Sequence, residues 1–457
     1  MFSSNSMRVG AAAVALLGLS VPGAHAESLR AALTAAYAHN PSITSALYAV
    51  KVAAENIALR RSATLPTIGA ATTISNTVAS SLGGGGISNT QKAQLGVSYS
   101  QTIFDNHKTD ANVEQARALV EVANQQLRTT ESSVLLDVVQ AYMNVILNTQ
   151  LVTLRTDTVT FYQSQVKASQ DRQNIGEGTK IDVAQAQASL ASGIASQKAA
   201  VAALQAAQAS YKHWVGHAPA NLSSDFNYGT LIPQTVDRAM RLADSLNPSI
   251  LAARASIRAA QAGLDAANAE FGPSAALSGS VGPSFSSAPA GNGGGAGFGG
   301  TVSLSVSLPV YAGGALGAGS RQASLSAVKS GLDAEAAKDA VDEQVVSAWT
   351  ALQNAAAQIA AAKSGVDANN LALQGVVQER DVGQKTTLDV LNQESTLQTA
   401  QEALITANAN RVVAAFSLIA ATGKMSPRDL GLRTATKSAQ SYTSKVEDTW
   451  EDVRSLK

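Results

Sequence analysis

The stretch Asn40-Pro41-Ser42 returns unchanged as Asn247-Pro248-Ser249, an offset of 207 residues. The same offset carries Pro66 onto Pro273, Phe104 onto Tyr311 and Gln115-Ala116 onto Gln322-Ala323. It carries Val138-Val139-Gln140-Ala141-Tyr142 onto Val345-Val346-Ser347-Ala348-Trp349, and Gly176 and Gly216 onto Gly383 and Gly423. Matches at Ala or Gly alone would mean little in so Ala-rich a chain. A shared tripeptide, shared prolines and a shared VVxA-aromatic string at one spacing mean a duplication. Self-similarity over this length implies two structurally equivalent halves, here residues 27–222 and 234–430, with a polar tail over 431–457 whose composition from Thr434 to Lys457 predicts a mobile segment.

Each half reads as helix, β-hairpin, long helix, turn, helix. In the first, an Ala-rich helix opened by a serine runs from Ser28 to Arg61, and two strands over 67–104 flank the Gly83 to Gly86 loop. A Pro-free helix follows from Lys108 to Ile175, Gly176 and Gly178 break it, and a last helix starts at Thr179, closing a helical hairpin over 108–215. The second half places its strands at 274–311 and its hairpin at 315–422. The long helix, roughly 68 residues, would span about 100 Å at the usual rise per residue. Val138, Val145, Val152, Val159 and Val166 recur every seventh residue, as do Val113, Val120, Leu127, Val134 and Ala141. A strict seven-residue apolar repeat predicts left-handed supercoiling. Abundant Ala favours helix and lets helices approach closely.

The strands alternate. Leu95, Val97, Tyr99 and Ile103 interleave with Gln94, Gly96, Ser98, Ser100 and Thr102; Val302, Leu304, Val306, Leu308 and Val310 interleave with Thr301, Ser303, Ser305, Ser307 and Pro309. One greasy and one small polar face is the pattern of a membrane barrel with a wet lumen. Tyr99, Phe104 and Tyr311 would supply interfacial aromatics. A soluble sheet packed on a core gives the same alternation. Four strands cannot close a barrel, and open edges are not tolerated in lipid, so spanning strands would require several copies of the chain.

The first residues read as an export leader: Arg8, an apolar run from Val9 to Val21, then Ala24-His25-Ala26 as a cleavage site, so that 1–26 is removed and the mature chain starts near Glu27. Beyond it no run of about 18 apolar residues is evident, which argues against a transmembrane helix. The chain holds no cysteine, so neither a disulfide nor an N-terminal lipidated thiol is expected. Charged residues make up only 14% and balance to zero. Without a Lys/Arg cluster nucleic acid is not an expected partner. Catalysis finds no support. His213 and His217 have i, i+4 spacing but no accompanying ligand in sequence, the Gly314/Gly317/Gly319 tract lacks a βαβ context, and there is no nucleophile elbow. No cofactor or metal is expected.

The duplicated NPS openings, the prolines at 66 and 273, the strand ends TIF and LPVYAGG, and two helix turns complete a pattern. The turns read Asn174-Ile-Gly-Glu-Gly-Thr-Lys-Ile-Asp182-Val and Asp381-Val-Gly-Gln-Lys-Thr-Thr-Leu-Asp389-Val. Together these features resemble the TolC-type outer membrane efflux and type I secretion channel family over almost the whole mature chain. The resemblance implies a homotrimer whose twelve strands form one barrel through the outer membrane of a Gram-negative bacterium. It also implies a long helical tunnel into the periplasm that docks, through an adaptor (membrane fusion) protein, onto an inner-membrane pump. By the same resemblance the two turns form the periplasmic mouth. Asp182 and Lys385 match groups that hold the coils shut, Arg380 stands where the family often has a Tyr, and Asp389 matches an acidic ring. Asn392 replaces a second acid, which weakens the case for strong cation block. The helix tips at Ile175, Gly176, Gly178, Val382 and Gly383 match the adaptor contact.

Capping alone also accounts for both acids. Thr179-x-x-Asp182 and Thr386-x-x-Asp389 are capping boxes, and an acid is favoured at a helix start by the dipole. The glycines serve tight turns. Three Asp389 side chains around one axis would repel, raise each other's pKa values and attract cations. The competing reading is a periplasmic coiled-coil scaffold or adaptor-like protein, which would carry one hairpin beside β-rich domains rather than two equal units.

Overall fold

The computed structural model describes residues 26–79, 88–224, 226, 228–287 and 294–447. Most of the expected leader, the Gly83 to Gly86 loop, Ala288 to Gly293 and the last residues of the tail lie outside them. In chain order the first repeat contains α1 (Leu29–His39), α2 (Pro41–Arg61), β1 (Thr67–Ala79), β2 (Ser88–Phe104), α3 (Lys108–Asn174) and α4 (Lys180–Val215). The second contains α5 (Val236–Leu246), α6 (Pro248–Ala269), β3 (Ser274–Ser287), β4 (Gly295–Ser307), α7 (Ala315–Asp381) and α8 (Thr387–Ala421), followed by α9 (Gln440–Glu447).

The offset read from the sequence holds in the hydrogen-bond ladder. Thr67 pairs with Ser100 across β1 and β2, and Ser274 pairs with Ser307 across β3 and β4, both partners moved by the same 207 positions. The four strands form one antiparallel sheet in the order β1-β2-β3-β4, joined between repeats at β2 and β3. Its register brings the larger apolar residues to one face: Ile68, Ile74, Leu95, Val97, Val281, Val302 and Leu304 share a side through cross-strand alternation. On the opposite face, Ser278 and Ser280 hydroxyls bond Ser303 and Thr301 hydroxyls at 3.0 Å each. In the protomer the apolar face carries no cover: Ile68, Ile74, Val302 and Leu304 are all exposed. A soluble sheet on a core would have buried it.

The long helices α3 and α7 each pair with the helix after their turn, α4 and α8, and α3 also packs on α2, α6 and α8. Both heptad lines of α3 are inward: Val120, Leu127, Val134, Val138, Val145 and Val159 are buried. The largest core cluster lies midway, where α1, α2, α3, α4 and α8 meet the segment between repeats.

Four local expectations need correction. The first helix is two, because Asn40 caps both: it ends α1 in an extended conformation and its side chain accepts the Ser42 N–H, with Pro41 at the first position of α2. Asn247-Pro248 repeats the break. Strand β4 stops at Ser307 rather than continuing to Tyr311, since Pro309 has no N–H to extend a ladder. Among the described residues one helix, Thr387–Ala421, is long and apolar enough to cross a membrane by length and composition, although no such run was expected from the sequence. It packs against α7 and α3 as part of the bundle, and its Glu394 and Gln398 are buried there.

The tail, expected to be mobile, is docked as far as Glu447. Ala439 and Val446 are buried and α9 lies on α2. The Lys437 N–H donates to the Tyr37 hydroxyl at 2.8 Å, its ammonium donates to Thr44 Oγ1 at 3.0 Å, and Tyr442 donates to Glu55 at 2.5 Å.

Candidate functional site

The two turns lie at the far ends of α3 and α7 and are built alike. Gly176 and Gly383 stand at φ +82° and +79°, a conformation costly for a side chain, and let the Glu177 and Gln384 N–H groups return to the carbonyls of Arg172 and Glu379. Gly178 has a second constraint, because a Cβ there would meet the Gln173 nitrogen at 3.1 Å. Lys385 occupies its place in the second turn. Ile175 and Val382 cap the tips and are exposed.

Both capping boxes are complete. Thr179 Oγ1 accepts the Asp182 N–H, and Asp182 Oδ2 accepts the Thr179 N–H and hydroxyl at 2.9 and 2.7 Å; Thr386 and Asp389 do the same at 2.9 and 2.8 Å. These bonds set the charge state. The Thr179 hydroxyl holds Asp182 below the ordinary carboxylate range, helped by the Thr179 amide and by Arg172 nearby. The Thr386 amide and hydroxyl lower Asp389 likewise, with Lys385 adding to it. Within a protomer this is the opposite direction from the mutual repulsion expected of an Asp389 ring.

Within the protomer a polar link between the repeats runs through Gln165, Arg172, Arg380 and Asp381. Arg172, in the last turn of α3, donates to Asp381 Oδ1 at 2.8 Å across to the end of α7. Arg380 donates to the same oxygen at 2.8 Å and reaches back to Gln165 Oε1 on α3 at 2.6 Å, its side chain nearly buried. Arg380 thus bridges α7 and α3 within the protomer; Gln165, Arg172 and Asp381 were not anticipated. Asp381 carried a signal: an acid at a helix C-terminus opposes the dipole and calls for cations beside it. Asn392 is exposed, but Glu394 two residues on is buried, and desolvation raises its pKa. Deeper in the bundle Gln398 donates to Thr158 Oγ1 at 3.1 Å and Arg155 pairs with Glu402.

Among the described residues no group of three or more His, Asp and Glu side chains is placed to hold a metal. His213 and His217 do not share a helical face, because α4 ends at Gly216 with φ +99°; His217 lies instead 3.5 Å from Glu27.

The model of the outer membrane efflux protein family matches residues 32–216 and 239–424, one match for each repeat. The chain belongs to this family. It is 34% identical to the outer membrane efflux protein BepC of Brucella suis over 97% of this chain and 96% of that one. Against the outer membrane protein TolC of Escherichia coli it is 26% identical over 91% of this chain and 87% of the other. A membrane protein of Pseudomonas aeruginosa shares the fold, with a TM-score of 0.76 at 20% identity over 86% and 90% of the two chains. As an outer membrane efflux protein the chain is a channel of the outer membrane and not an enzyme. It is the exit duct of a tripartite efflux system, a homotrimer that meets a periplasmic adaptor and an inner-membrane pump. The bare apolar face of the sheet and its two open edges have their explanation in that assembly.

Proposed function

We propose that the duct is a passive conduit gated at the two helix turns, and that residues 1–26 are an export leader absent from the working channel. The observation that carries the gate reading is the bond from Arg172 to Asp381, which ties the two coils of a protomer together at their tips. A passive pore needs a reversible constriction, and exposed ion pairs, each worth about 0.2–1 kcal/mol, are weak enough to be broken by a docking partner. In this reading Arg380 and Lys385 belong to the latch with Asp182. Asp389, ionised and partly exposed, presents the negative charge that cations meet, and Asn392 adds none. Ile175, Gly176, Gly178, Val382 and Gly383 form the tip that the adaptor covers, since exposed aliphatic side chains on a tight turn mark contact surface.

Single-channel currents of purified protein in a planar bilayer test this. Wild type should pass a small steady current preferring cations, and Asp389→Ala should lose that preference. An unchanged preference would leave Asp389 as a helix cap alone. Material that never conducts and dissolves without detergent would favour the scaffold reading.

A further inference from the structure

From Thr67 to Phe104 and from Ser274 to Tyr311, the strands and the loops at their outer ends contain one charged side chain, Lys92. Charged residues make up 14% of the chain, so a lone lysine sets this part apart from the rest. The ladder fixes where it stands. Lys92 pairs with Ser75 on β1 and with Ser286 on β3, which in turn pairs with Gly295 on β4. Alternate residues of a strand share a face, so Lys92 lies with Gln94 and Ser98 on the side of the bonded Ser280 and Thr301 hydroxyls. Its sequence neighbours take the other face. Ala93 falls in the apolar row of Ile74 and Phe285, and Gln91 in the row of Asn76 and Ser287, where the lipid side turns polar. Lys92 therefore stands on the lumen side, near the outer limit of the apolar band.

The side chain is exposed, and none of the described residues forms a hydrogen bond or ion pair with it. Both outer loops lack an acid in sequence, and the cross-strand neighbours are serines, so no carboxylate of the barrel cancels the charge. A twelve-stranded barrel is wider than the eight-stranded kind that side chains fill, so each ammonium group meets water and mobile ions. We propose that the three Lys92 residues of a trimer make the outer end of the duct a vestibule that concentrates multivalent anions and turns back multivalent cations. A unit charge acting through water over roughly 7 Å, two residues along a strand, enriches a monovalent anion about two- to threefold. The factor is raised to the power of the anion's charge, so a trivalent anion gains roughly ten- to twentyfold. Salt sets the reach, since the Debye length is about 30 Å at 0.01 M and about 3 Å at 1 M. Cargo bearing several carboxylates or phosphates is thereby favoured at the exit, whereas the Asp389 carboxylates proposed for the mouth favour cations.

The vestibule rests on the duct reading, in which the small polar face lines the lumen, and the experiment separates the two. The chain has no cysteine, so one introduced thiol carries the probe. Whole protein in lipid vesicles bears a fluorophore at Gln94→Cys, and its quenching by iodide is divided by its quenching by uncharged acrylamide. Quenching needs no current, so the state of the mouth does not enter. At 0.01 M salt the ratio should fall about twofold when Lys92→Gln is added, and hold when Lys92→Arg is added. The difference should vanish at 1 M salt. Inorganic tripolyphosphate should displace iodide, and so suppress its quenching, only where the lysine or arginine is present. A fluorophore at Ala93→Cys controls for the face: brominated acyl chains should quench it and iodide should not. Equal ratios with Lys92 and with Lys92→Gln at low salt, the face control behaving as expected, would overturn the vestibule alone. Iodide access at Ala93→Cys together with lipid quenching at Gln94→Cys would reverse the two faces, and the lumen reading would fall with the vestibule.

Discussion

Arg172 and Asp381 stand at the ends of the two long helices, 2.8 Å apart, and belong to different repeats. They are not counterparts under the duplication: the offset takes Arg172 to Glu379 and Asp381 back to Asn174. The bond is therefore an asymmetric feature laid over a symmetric frame. Arg380 and then Arg172 hold Asp381 below the ordinary carboxylate range. Exposed pairs contribute little to stability, so Arg172→Ala should leave the melting temperature of the assembled protein within a degree or two while raising mean conductance. Asp381→Asn should act the same way, and the exchange Arg172→Asp with Asp381→Arg should bring conductance back toward wild type. Currents no higher than wild type in both single variants would remove the pair from the gate.

Asp182 and Asp389 are the same capping residue in two repeats, and their pKa values are both lowered by their threonines. A lowered acid stays charged, and the stability it contributes persists, above the ordinary Asp value; both are lost only as pH falls through the folded value. Cation preference should then hold as pH is lowered to about 4, the unperturbed Asp range, and fade below it. Reversal potentials measured in a salt gradient from pH 7 to pH 3 check this. A midpoint well above pH 4 would mean that repulsion among three Asp389 carboxylates outweighs the caps.

The tail is clamped by a buried pair. Tyr37 donates to Glu131 Oε1 at 2.6 Å and accepts the Lys437 N–H, so one hydroxyl joins α1, α3 and the chain after α8. Tyr37→Phe leaves a buried carboxylate and an amide each short of a partner, a loss of roughly 1–3 kcal/mol. Limited proteolysis should then cut within residues 434–447, which resist in wild type. Burial raises the Glu131 pKa. Its stabilising effect is thus complete below the ordinary Glu value and is lost as pH rises through the raised one. Glu131→Gln should flatten the melting temperature between about pH 4 and pH 7; an unaltered pH slope would count against it.

The frame was legible because its signals are local or periodic. The offset, the heptads, the strand alternation and both Thr-x-x-Asp boxes each depend on residues close in sequence or related by one number. What was missed depends on partners far apart and unrelated by that number. Gln165 meets Arg380, and Tyr442 meets Glu55, only after the chain has folded. The helix break at Asn40 was legible and overlooked, since Pro41 fixes a first helical position. The tail was misjudged from polarity, although its buried contacts need only Ala439 and Val446.

Gly216 and Gly423 show where the duplication ends as a guide to energetics. Both close a hairpin, and both have left-handed backbone, at φ +99° and +76°. Around Gly216 an added Cβ meets nothing within 4 Å, whereas at Gly423 it would stand 2.5 Å from the Leu246 carbonyl and 2.7 Å from the Asn247 nitrogen. That backbone cannot yield easily, because the Asn247 side chain is tied by its amide to the Ala421 carbonyl at 2.8 Å and caps α6. Gly216→Ala should therefore incur only the left-handed conformational penalty, about 1–2 kcal/mol, and still assemble. Gly423→Ala should in addition force α5, α6 and the end of α8 apart, and yield little trimer. Thermal denaturation of membrane-extracted protein compares them directly; equal losses in the two variants would mean that the close approach at Gly423 is relieved elsewhere.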